Sequence, residues 1–384
     1  MVTRPLLSAA MIVRNEAKFL GDCLRSLQSI ADEVIVVDTG STDETPAIAA
    51  AHGAVVHHYE WCDDFAAARN AALDAASGEW ILYIDADEQL QPVERAALEA
   101  LLRRTDALAF RLLLRPSPRA TPYREYRLWR NDPRIRFDGM IHEKVVPAIH
   151  AVADADGRRI LPCDLELVHF GYEGDQTRKH LRNLPLLRRQ LEVEPDNLFV
   201  WHHLSRVLEG LGDAGEAERV LEGGLLVARA KPWRDPLAVL LYADLVRMRE
   251  HDGDHGEALL AEGLELYGDN CVLLWLHSRA LIRRGAYDEA LVPLDRILAF
   301  DPAELPDLGP SYDEQLIHEF SHDARGLCLF RLGRYAEAAQ EYAAAAQWAP
   351  ENPAYPAKIA IANARAGRAG DASRSMAVGA QHGS

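Results

Sequence analysis

The amino-acid sequence predicts an α/β domain with a mostly parallel sheet, followed by an all-α domain of helical repeats. Up to about residue 176, short strand-like runs alternate with helical segments. This alternation is typical of a parallel sheet that has helices on both of its faces. From residue 177 to residue 384 the pattern is helical, and one short motif recurs along it. We therefore expect domains at 1–176 and 177–384.

The elements of the first domain follow one another in a regular order. A strand is expected at "LLSAAMIV", a helix at "NEAKFLGDCLRSLQSI", a strand at "EVIVVD" and a helix at "TPAIAAAHG". The strand "AVVHHYE", the helix "DFAAARNAALDAAS" and the strand "EWILYID" come next. Ligands of such sheets collect at the carboxyl ends of the strands. Because Asp38 and Asp85 each close a predicted strand, both are expected at one edge of the sheet.

A motif of the form G-x-x-x-[DE]-A recurs in the second domain, at Gly212, Gly253, Gly285, Gly333 and Gly367. The copies are spaced around a period of about 34 residues, and each is expected between two amphipathic helices. The pattern resembles tetratricopeptide repeats, in which Gly takes the turn and a small Ala lies where the paired helices cross. Such arrays present concave surfaces that bind peptides or pair subunits, so we expect a peptide partner or a homodimer.

The composition excludes some classes of protein. The formal charge is −17, from 42 basic and 59 acidic side chains, which argues against a nucleic-acid partner. Five widely spaced cysteines without a C-x-x-C pair favour a reducing compartment over a disulfide framework or a zinc site. The apolar run near the start leads into a charged segment, and no stretch reaches the ~18 apolar residues of a membrane span. We expect a soluble, cytoplasmic protein.

Two carboxylates, Asp85 and Asp87, stand just past the apolar strand "EWILYID" with Ala86 between them. Carboxylates held this close repel each other unless a positive charge lies between them. A hard divalent cation such as Mg²⁺ or Mn²⁺ prefers such oxygen ligands. A solvated loop with two ordinary acids is the alternative interpretation.

A second candidate site follows the strand "EVIVVD". Asp38 can accept a hydrogen bond from a base N–H, while the loop at Gly40 and Ser41 can meet a phosphate or a ribose. The alternative is a well-capped turn between a strand and a helix. Arg69, in "AARNAAL", suits a diphosphate, although a surface ion pair would also account for it.

Three segments carry a resemblance to a known family. They are "MIVRNEAKFLGDCLRSL", "VIVVDTGSTDET" and "FAAARNAALDAASGEWILYIDADE", in this order within roughly the first 90 residues. Together they resemble the family 2 glycosyltransferases, which are inverting enzymes of the GT-A fold. The resemblance implies a nucleotide-sugar donor. It also implies that Asp38 reads the N3–H of uracil or thymine, which favours a UDP-sugar or a dTDP-sugar.

The same resemblance implies roles for the other strand-end residues. Asn15 and Glu16 would lie near the nucleoside, and Arg69 beside the diphosphate. Asp85 would face the ribose or a metal-bound water, and Asp87 would ligate Mn²⁺ or Mg²⁺.

Two later segments, "YREYRLWRNDPRIRFDGMIHEKV" and "LELVHFGYEGDQTRKHLRNLPLLRRQLEVEPDN", resemble a narrower subgroup. Its members join this domain to C-terminal tetratricopeptide repeats, and some glycosylate Cys, Ser or Thr side chains of bacteriocin-type peptides. In the subgroup pattern His169 completes the metal shell. A structural histidine at the end of a strand is the alternative.

Inversion at the anomeric carbon requires a base that takes the acceptor proton. Glu143 in "MIHEKV" is the preferred candidate and Asp138 in "RFDGM" the second. Arg130 in "RLWRND" can contact the diphosphate or the acceptor, or else form a structural salt bridge. A thiol acceptor needs the base less, since a thiolate forms more readily than an alkoxide.

The sequence thus predicts a metal-dependent inverting glycosyltransferase. Its acceptor would be a peptide Cys, Ser or Thr side chain, or alternatively a glycan or lipid. A rival interpretation is a repeat scaffold that binds a protein or peptide and whose first domain is inactive. A nucleotidyltransferase would need a Gly-rich phosphate loop after the first strand, and "VRNEAKF" has no such run of glycines.

Overall fold

The structure is a computed structural model, and it describes residues 4–171, 176–251, 256–301 and 311–381. These residues divide into two compact units. The first comprises the residues up to Val220 together with Ser311, and the second comprises those from Leu221 onward without Ser311.

The first unit is built on one sheet of eight strands. The strands are β1 Leu7–Val13, β2 Glu33–Asp38, β3 Val55–His58, β4 Trp80–Tyr83, β5 Glu88–Leu90, β6 Ala107–Arg115, β7 Tyr123–Arg130 and β8 Arg159–His169. Their order in the sheet is β3-β2-β1-β4-β7-β6-β8-β5. The first four strands of this order run parallel, as do β6 and β8, whereas β7 and β5 are antiparallel to their neighbours. The α/β class with a mostly parallel sheet is confirmed.

Seven helices belong to the first unit: α1 Leu20–Leu27, α2 Thr45–Ala51, α3 Phe65–Ala75, α4 Arg95–Leu102, α5 Val146–Asp156, α6 Thr177–Val193 and α7 Leu198–Gly210. Apolar side chains recur on α1 at helical spacing, and this stripe faces one side of the sheet. The buried side chains of α3 and α5 pack against the other side. The sheet is therefore covered on both faces, and its strand-end loops are left to form a site.

The first unit extends past the domain boundary predicted at residue 176, because α6 and α7 belong to it. Gln190 of α6 is buried. On α7, the ring centroid of His203 lies 4.2 Å from that of His142, and the ring centroid of Phe199 lies 4.9 Å from it. These contacts tie both helices to the loop before α5.

In the described part of the second unit, every named element is a helix. Helix α8 Ala214–Ala230 leads into it, and α9 Ala238–His251, α10 Glu257–Leu266, α11 Cys271–Arg283, α12 Tyr287–Leu298, a π-helical turn Leu316–Phe320, α13 Ser321–Arg331, α14 Tyr335–Trp348 and α15 Ala354–Gln381 follow. The all-α prediction for this part of the chain is confirmed. Across all described residues, no helix is both long and apolar enough to cross a membrane.

Three copies of the repeated motif form the predicted turns. Gly212, Gly285 and Gly333 have φ values of +86°, +76° and +79°, which a residue with a Cβ adopts at a cost. The Ala that ends each of these copies is fully buried, as expected at a helix crossing; these are Ala217, Ala290 and Ala338.

The other two copies differ from these three. Gly253 lies outside the described residues. The prediction of a turn at Gly367 is wrong, because α15 runs through it without a break. Alanines surround this glycine, and their high helix propensity outweighs the cost of one Gly inside a helix.

Candidate functional site

The carboxyl ends of β1 and β2 are joined by their loops. Asp38 is buried, and its Oδ1 accepts a hydrogen bond of 3.1 Å from the backbone N–H of Ser41. Asn15 has a φ of +58°; its N–H donates to Ser41 Oγ at 2.9 Å, and its Oδ1 accepts from the N–H of Thr42 at 2.7 Å. Gly40, with a φ of +101°, allows the tight turn between these contacts. The two loops therefore form one rigid wall.

A cleft of about 200 Å³ opens beside this wall, and we call it the first cleft. Thr39, rather than Asp38, lines it, together with Glu16 from the loop after β1. Trp61 and Phe65 lie on its wall with their rings edge to face, 4.8 Å apart. The complete lining is Ile12, Val13, Arg14, Glu16, Thr39, Trp61, Phe65, Arg69, Asp85, Ala86, Asp87, His169, Lys179 and Arg182.

Asp85 is held by two arginines. Arg69 donates from Nη2 to Asp85 Oδ1 at 2.9 Å, and Nη1 of Arg127 lies 3.6 Å from Asp85 Oδ2. The Cζ atoms of both arginines lie 4.2 Å from the ring centroid of Tyr83. Burial raises the pKa of Asp85, but the positive charges of Arg69 and Arg127 outweigh it and lower that pKa to about 2. Asp85 is therefore a fixed negative charge.

The two arginines also bind other acids. Arg127 donates to Oε1 of the fully buried Glu88 at 2.7 Å, and Nε of Arg69 donates to Oε1 of Glu143. Nη1 of Arg69 is buried and has no hydrogen-bond partner among the described residues. A buried donor without a partner is costly, so an anionic ligand in the first cleft would relieve that cost.

Asp87 faces a different set of partners. Its Oδ2 lies 3.2 Å from Nε2 of His169 and 3.4 Å from Nζ of Lys179. The antiparallel pairing of β5 with β8 sets Glu88 opposite His169, and this register brings the histidine to Asp87. Burial raises the pKa of Asp87, but the hydrogen bond and positive charge of His169, together with the charge of Lys179, outweigh it and lower that pKa.

Glu16 is the third acid of the first cleft. Its backbone N–H donates to Thr45 Oγ1 at 2.8 Å, which fixes the loop. Burial, and next the negative charge of Asp87, raise the pKa of its side chain to about 7. Glu16 therefore exchanges a proton near neutral pH, unlike Asp85.

The donor atoms here fit a hard divalent cation in part. A carboxylate and an imidazole that face one point suit Mn²⁺ or Mg²⁺, and Asp87 and His169 are so placed. Asp85, the third predicted ligand, is bound to two arginines instead. Over the described ranges, no group of three or more His, Cys, Asp or Glu side chains is arranged to hold a metal ion. The protein supplies a pair of ligands, and solvent or a ligand's oxygens would have to supply the others.

The structure brings most of the predicted site residues together. Glu16, Arg69, Asp85, Ala86, Asp87 and His169 all line the first cleft. Asn15, Asp38, Gly40 and Ser41 form the adjoining wall. Glu143 is nearly buried and is bonded to Arg69, so it reaches the cleft through that side chain.

Two predicted residues lie elsewhere. Asp138 is exposed, and its backbone pairs with that of Lys144. Arg130 was expected at the site, but the structure places it opposite Trp80, at the start of β4 and away from the strand ends. Its guanidinium donates to the carbonyl oxygens of Ala107 and Arg104.

Among the residues that sequence reasoning missed are Trp61, Lys179 and Arg182, which line the first cleft, and Arg127, which binds Asp85. Trp61 stands close before the helix "DFAAARNAAL", and a lone aromatic there gives little signal. Lys179 and Arg182 lie in "TRKHLRN", which resembled the subgroup but was assigned to the repeats.

Next to Trp61 is Cys62, the exposed member of the five cysteines, all of which are free thiols.

Comparisons with known proteins show which families the chain resembles. The family model described as glycosyl transferase family 2 matches residues 8–150, and a tetratricopeptide repeat model matches residues 320–352. A TPR repeat-containing protein of Synechococcus elongatus is 39% identical over 233 residues, which are 59% of this chain and 58% of that protein. The SPbeta prophage-derived glycosyltransferase SunS of Bacillus subtilis is 28% identical over 206 residues, which are 50% of this chain and 47% of that protein.

The chain thus spans about half the length of the curated relatives it matches. Among solved structures, that of S. aureus TarS 1–349 in complex with UDP-GlcNAc is similar at a TM-score of 0.38 and 17% identity, over 73% of this chain and 92% of that one. A similarity of that size carries no inference about ligands. The two model matches give the assignment: residues 8–150 are a family 2 glycosyltransferase domain, and a tetratricopeptide repeat lies at residues 320–352.

Proposed function

We propose that the protein is an inverting glycosyltransferase that takes its sugar from a nucleotide-sugar bound in the first cleft. One observation carries the proposal. Asp85 and Asp87 follow a buried strand, and both acids line the same cleft as Arg69, His169 and Lys179. Carboxylates held on a rigid sheet can bind a divalent cation, and the cationic side chains beside them can bind a nucleoside diphosphate.

The nucleoside is proposed to lie against Thr39 and Trp61. Trp61 offers an aromatic face on which a base can stack. Asp38 is buried beside Thr39, does not line the first cleft and accepts from Ser41; since a carboxylate has about four lone-pair sites, Asp38 can also accept the N3–H of a pyrimidine once the base displaces the wall at Thr39. This supports a UDP-sugar or a dTDP-sugar as the donor.

The diphosphate is proposed to lie near Asp87. Asp87 and His169 would hold Mn²⁺ or Mg²⁺, which when bound offsets the negative charge of a departing diphosphate. The chain adds positive charge of its own, because Arg69, Lys179 and Arg182 line the same cleft. The ammonium of Lys179 lies 3.4 Å from Asp87 Oδ2 and would move to a phosphate oxygen once a cation replaces it there.

Glu143 is proposed as the base that takes the acceptor proton. Its carboxylate accepts a hydrogen bond from Arg69, which lines the first cleft and also binds Asp85. Asp138, the other candidate, is exposed and lines neither the first cleft nor any site next to it. Burial keeps Glu143 away from water, which suits a base that should act on the acceptor alone.

The acceptor is proposed to be a side chain of a peptide, or else a glycan or lipid. The helical repeats would then bind the peptide or pair two chains. Within the second unit, large apolar side chains are exposed on the helices, among them Trp348 at 53% and Ile361 at 55%. Exposed apolar side chains on a repeat array are compatible with peptide binding and with the pairing of two chains.

Nucleotide release tests the proposal. Wild type would be incubated with UDP-, dTDP- and GDP-sugars in Mn²⁺, Mg²⁺ or EDTA, beside Asp87→Asn, Glu143→Gln and Asp138→Asn. We expect release from a UDP- or dTDP-sugar that EDTA abolishes. Asp87→Asn should lose it at unchanged thermal stability, since Asn keeps the shape but not the charge, while Asp138→Asn should keep it. Release by Asp87→Asn at the wild-type rate would contradict the proposal.

One observation favours the rival interpretation, a scaffold whose first domain is inactive. Both carboxylate oxygens of Asp85 are engaged by arginines, so this acid cannot bind a cation unless they move. The rival predicts that calorimetry shows no binding of UDP with Mn²⁺, whereas the proposed function predicts binding that Asp87→Asn weakens.

A further inference from the structure

A second, larger cleft of about 380 Å³ adjoins the first. The two share Arg14, Glu16, Lys179 and Arg182 in their linings. The second cleft adds Asn15, Lys18, Phe19, Gly171, Gln176 and Arg178, all of which belong to the first compact unit.

This second cleft is strongly basic, although the protein as a whole is acidic. Among the residues that the structure describes, three arginines and two lysines line it against one acid, Glu16, in a chain whose formal charge is −17. Arg14, Lys18 and Arg178 form no ion pair with any residue that the structure describes. Within the described part of the chain, the second cleft therefore holds a local excess of positive charge, although the net charge of the chain is negative.

The basic side chains of the second cleft are close enough to repel each other. Burial lowers the pKa of Arg182, Glu16 raises it, and the neighbouring charges of Arg14 and Arg178 lower it further. Like charges held together in this way favour the binding of an anion of high charge.

We propose that the second cleft binds a phosphate group carried by the acceptor substrate. This inference rests on the proposed function, because it takes the first cleft as the donor site. A phosphate monoester carries about −1.5 to −2 charges and three acceptor oxygens, which several guanidinium groups can bind at once. A carboxylate carries one charge and would leave most of these cations uncompensated. The ring of Phe19 and the amide groups of Asn15 and Gln176 are left to contact the uncharged part of the acceptor.

The test uses inorganic phosphate as the probe and the double variant Lys18→Gln/Arg178→Gln, whose positions line the second cleft alone. Arg103→Gln is the matched control, since Arg103 is an exposed arginine on α4 outside both clefts. Phosphate would be titrated by calorimetry into protein saturated with UDP and Mg²⁺. We expect the double variant to bind phosphate at least about tenfold more weakly, as for the loss of one charge-assisted hydrogen bond. Arg103→Gln should bind phosphate as wild type does, and UDP affinity should be equal in all three.

Three outcomes would overturn the proposal. Unchanged phosphate affinity in the double variant would place the anion elsewhere. Competition between UDP and phosphate would make the second cleft part of the donor site. Acetate or an acidic peptide bound as tightly as phosphate would assign the cleft to carboxylates. If wild type fails to bind UDP, the proposed function fails, and a phosphate titration without UDP still shows whether the second cleft binds the anion.

Discussion

Gly171 leaves the space that the side chain of Asp87 occupies, so its replacement by alanine should displace that carboxylate. A Cβ at residue 171 would lie 2.6 Å from Cγ of Asp87 and closer still to Oδ2, whereas real Cβ atoms essentially never approach within 3.0 Å. The backbone N–H of Phe170 donates to the carbonyl oxygen of Asp87 at 2.8 Å, which holds the two chain segments together. The side chain of Asp87 must therefore rotate away.

The size of the effect follows from this clash. Rotation moves Oδ2 of Asp87 by about 1 Å or more, and a displacement of that size costs about 10²-fold in rate when the group positions a substrate. Overpacking of this kind also costs about 1–3 kcal/mol of stability. Gly171→Ala should thus reduce metal-dependent nucleotide release by about 10²-fold or more, by our estimate, and should lower the midpoint of urea unfolding.

Two further variants separate the clash with Asp87 from the general effect of replacing a glycine by alanine. Gly215→Ala is the control for a Gly-to-Ala change, because a Cβ there meets nothing within 4 Å, and it should leave release unchanged. Gly171→Ala/Asp87→Ala removes the clash, so it should regain stability without regaining activity. If Gly171→Ala folds and releases nucleotide at the wild-type rate, the reasoning that places Asp87 in the site is refuted.

Other contacts in the two units lead to expectations that unfolding experiments can check. Burial lowers the pKa of His142 to about 4 and that of His203 well below its usual value. The unfolded chain then binds more protons below pH 6.5, so the free energy of unfolding should fall by about 3 kcal/mol towards pH 4 from His142 alone, and further because of His203; an equal fall in His203→Phe would contradict this. Arg127→Leu leaves Glu88 buried without its partner and should cost about 3–5 kcal/mol in urea unfolding, whereas Arg127→Leu/Glu88→Leu should cost less. Gly285→Ala, at a φ of +76°, should cost about 1 kcal/mol, and a raised melting temperature would speak against the strained turn.

Much of the site could be predicted because it depends on local sequence and on one general property of parallel sheets. Asp38, Asp85 and Asp87 each follow an apolar run, and the ends of parallel strands meet at one edge. Arg69 stands on α3, the helix before β4, and is close in the chain to Asp85 and Asp87. Such residues need only the strand–helix alternation to be recognised.

Arg130 and Arg127 show where this reasoning stops. They lie three residues apart on β7, and the antiparallel register with β4 decides which end of the strand each occupies. Arg130 pairs with Trp80 at the start of β4, so Arg127 is the one that reaches Asp85. The local sequence pattern does not predict a strand register that is set by residues far apart in the chain. Lys179 was missed for a related reason, since only tertiary contact ties α6 to the sheet unit.

Cys62, next to Trp61 of the first cleft, is the one exposed thiol among the five cysteines. Burial raises the pKa of the four other thiols, those of Cys23, Cys163, Cys271 and Cys328, so maleimides should react with them slowly at neutral pH. One fluorophore can therefore be placed next to Trp61 without any engineered cysteine, where its emission would follow nucleotide entry in real time. The same thiol can join two chains when exposed to air, so a dimer is meaningful only if it survives a reducing agent.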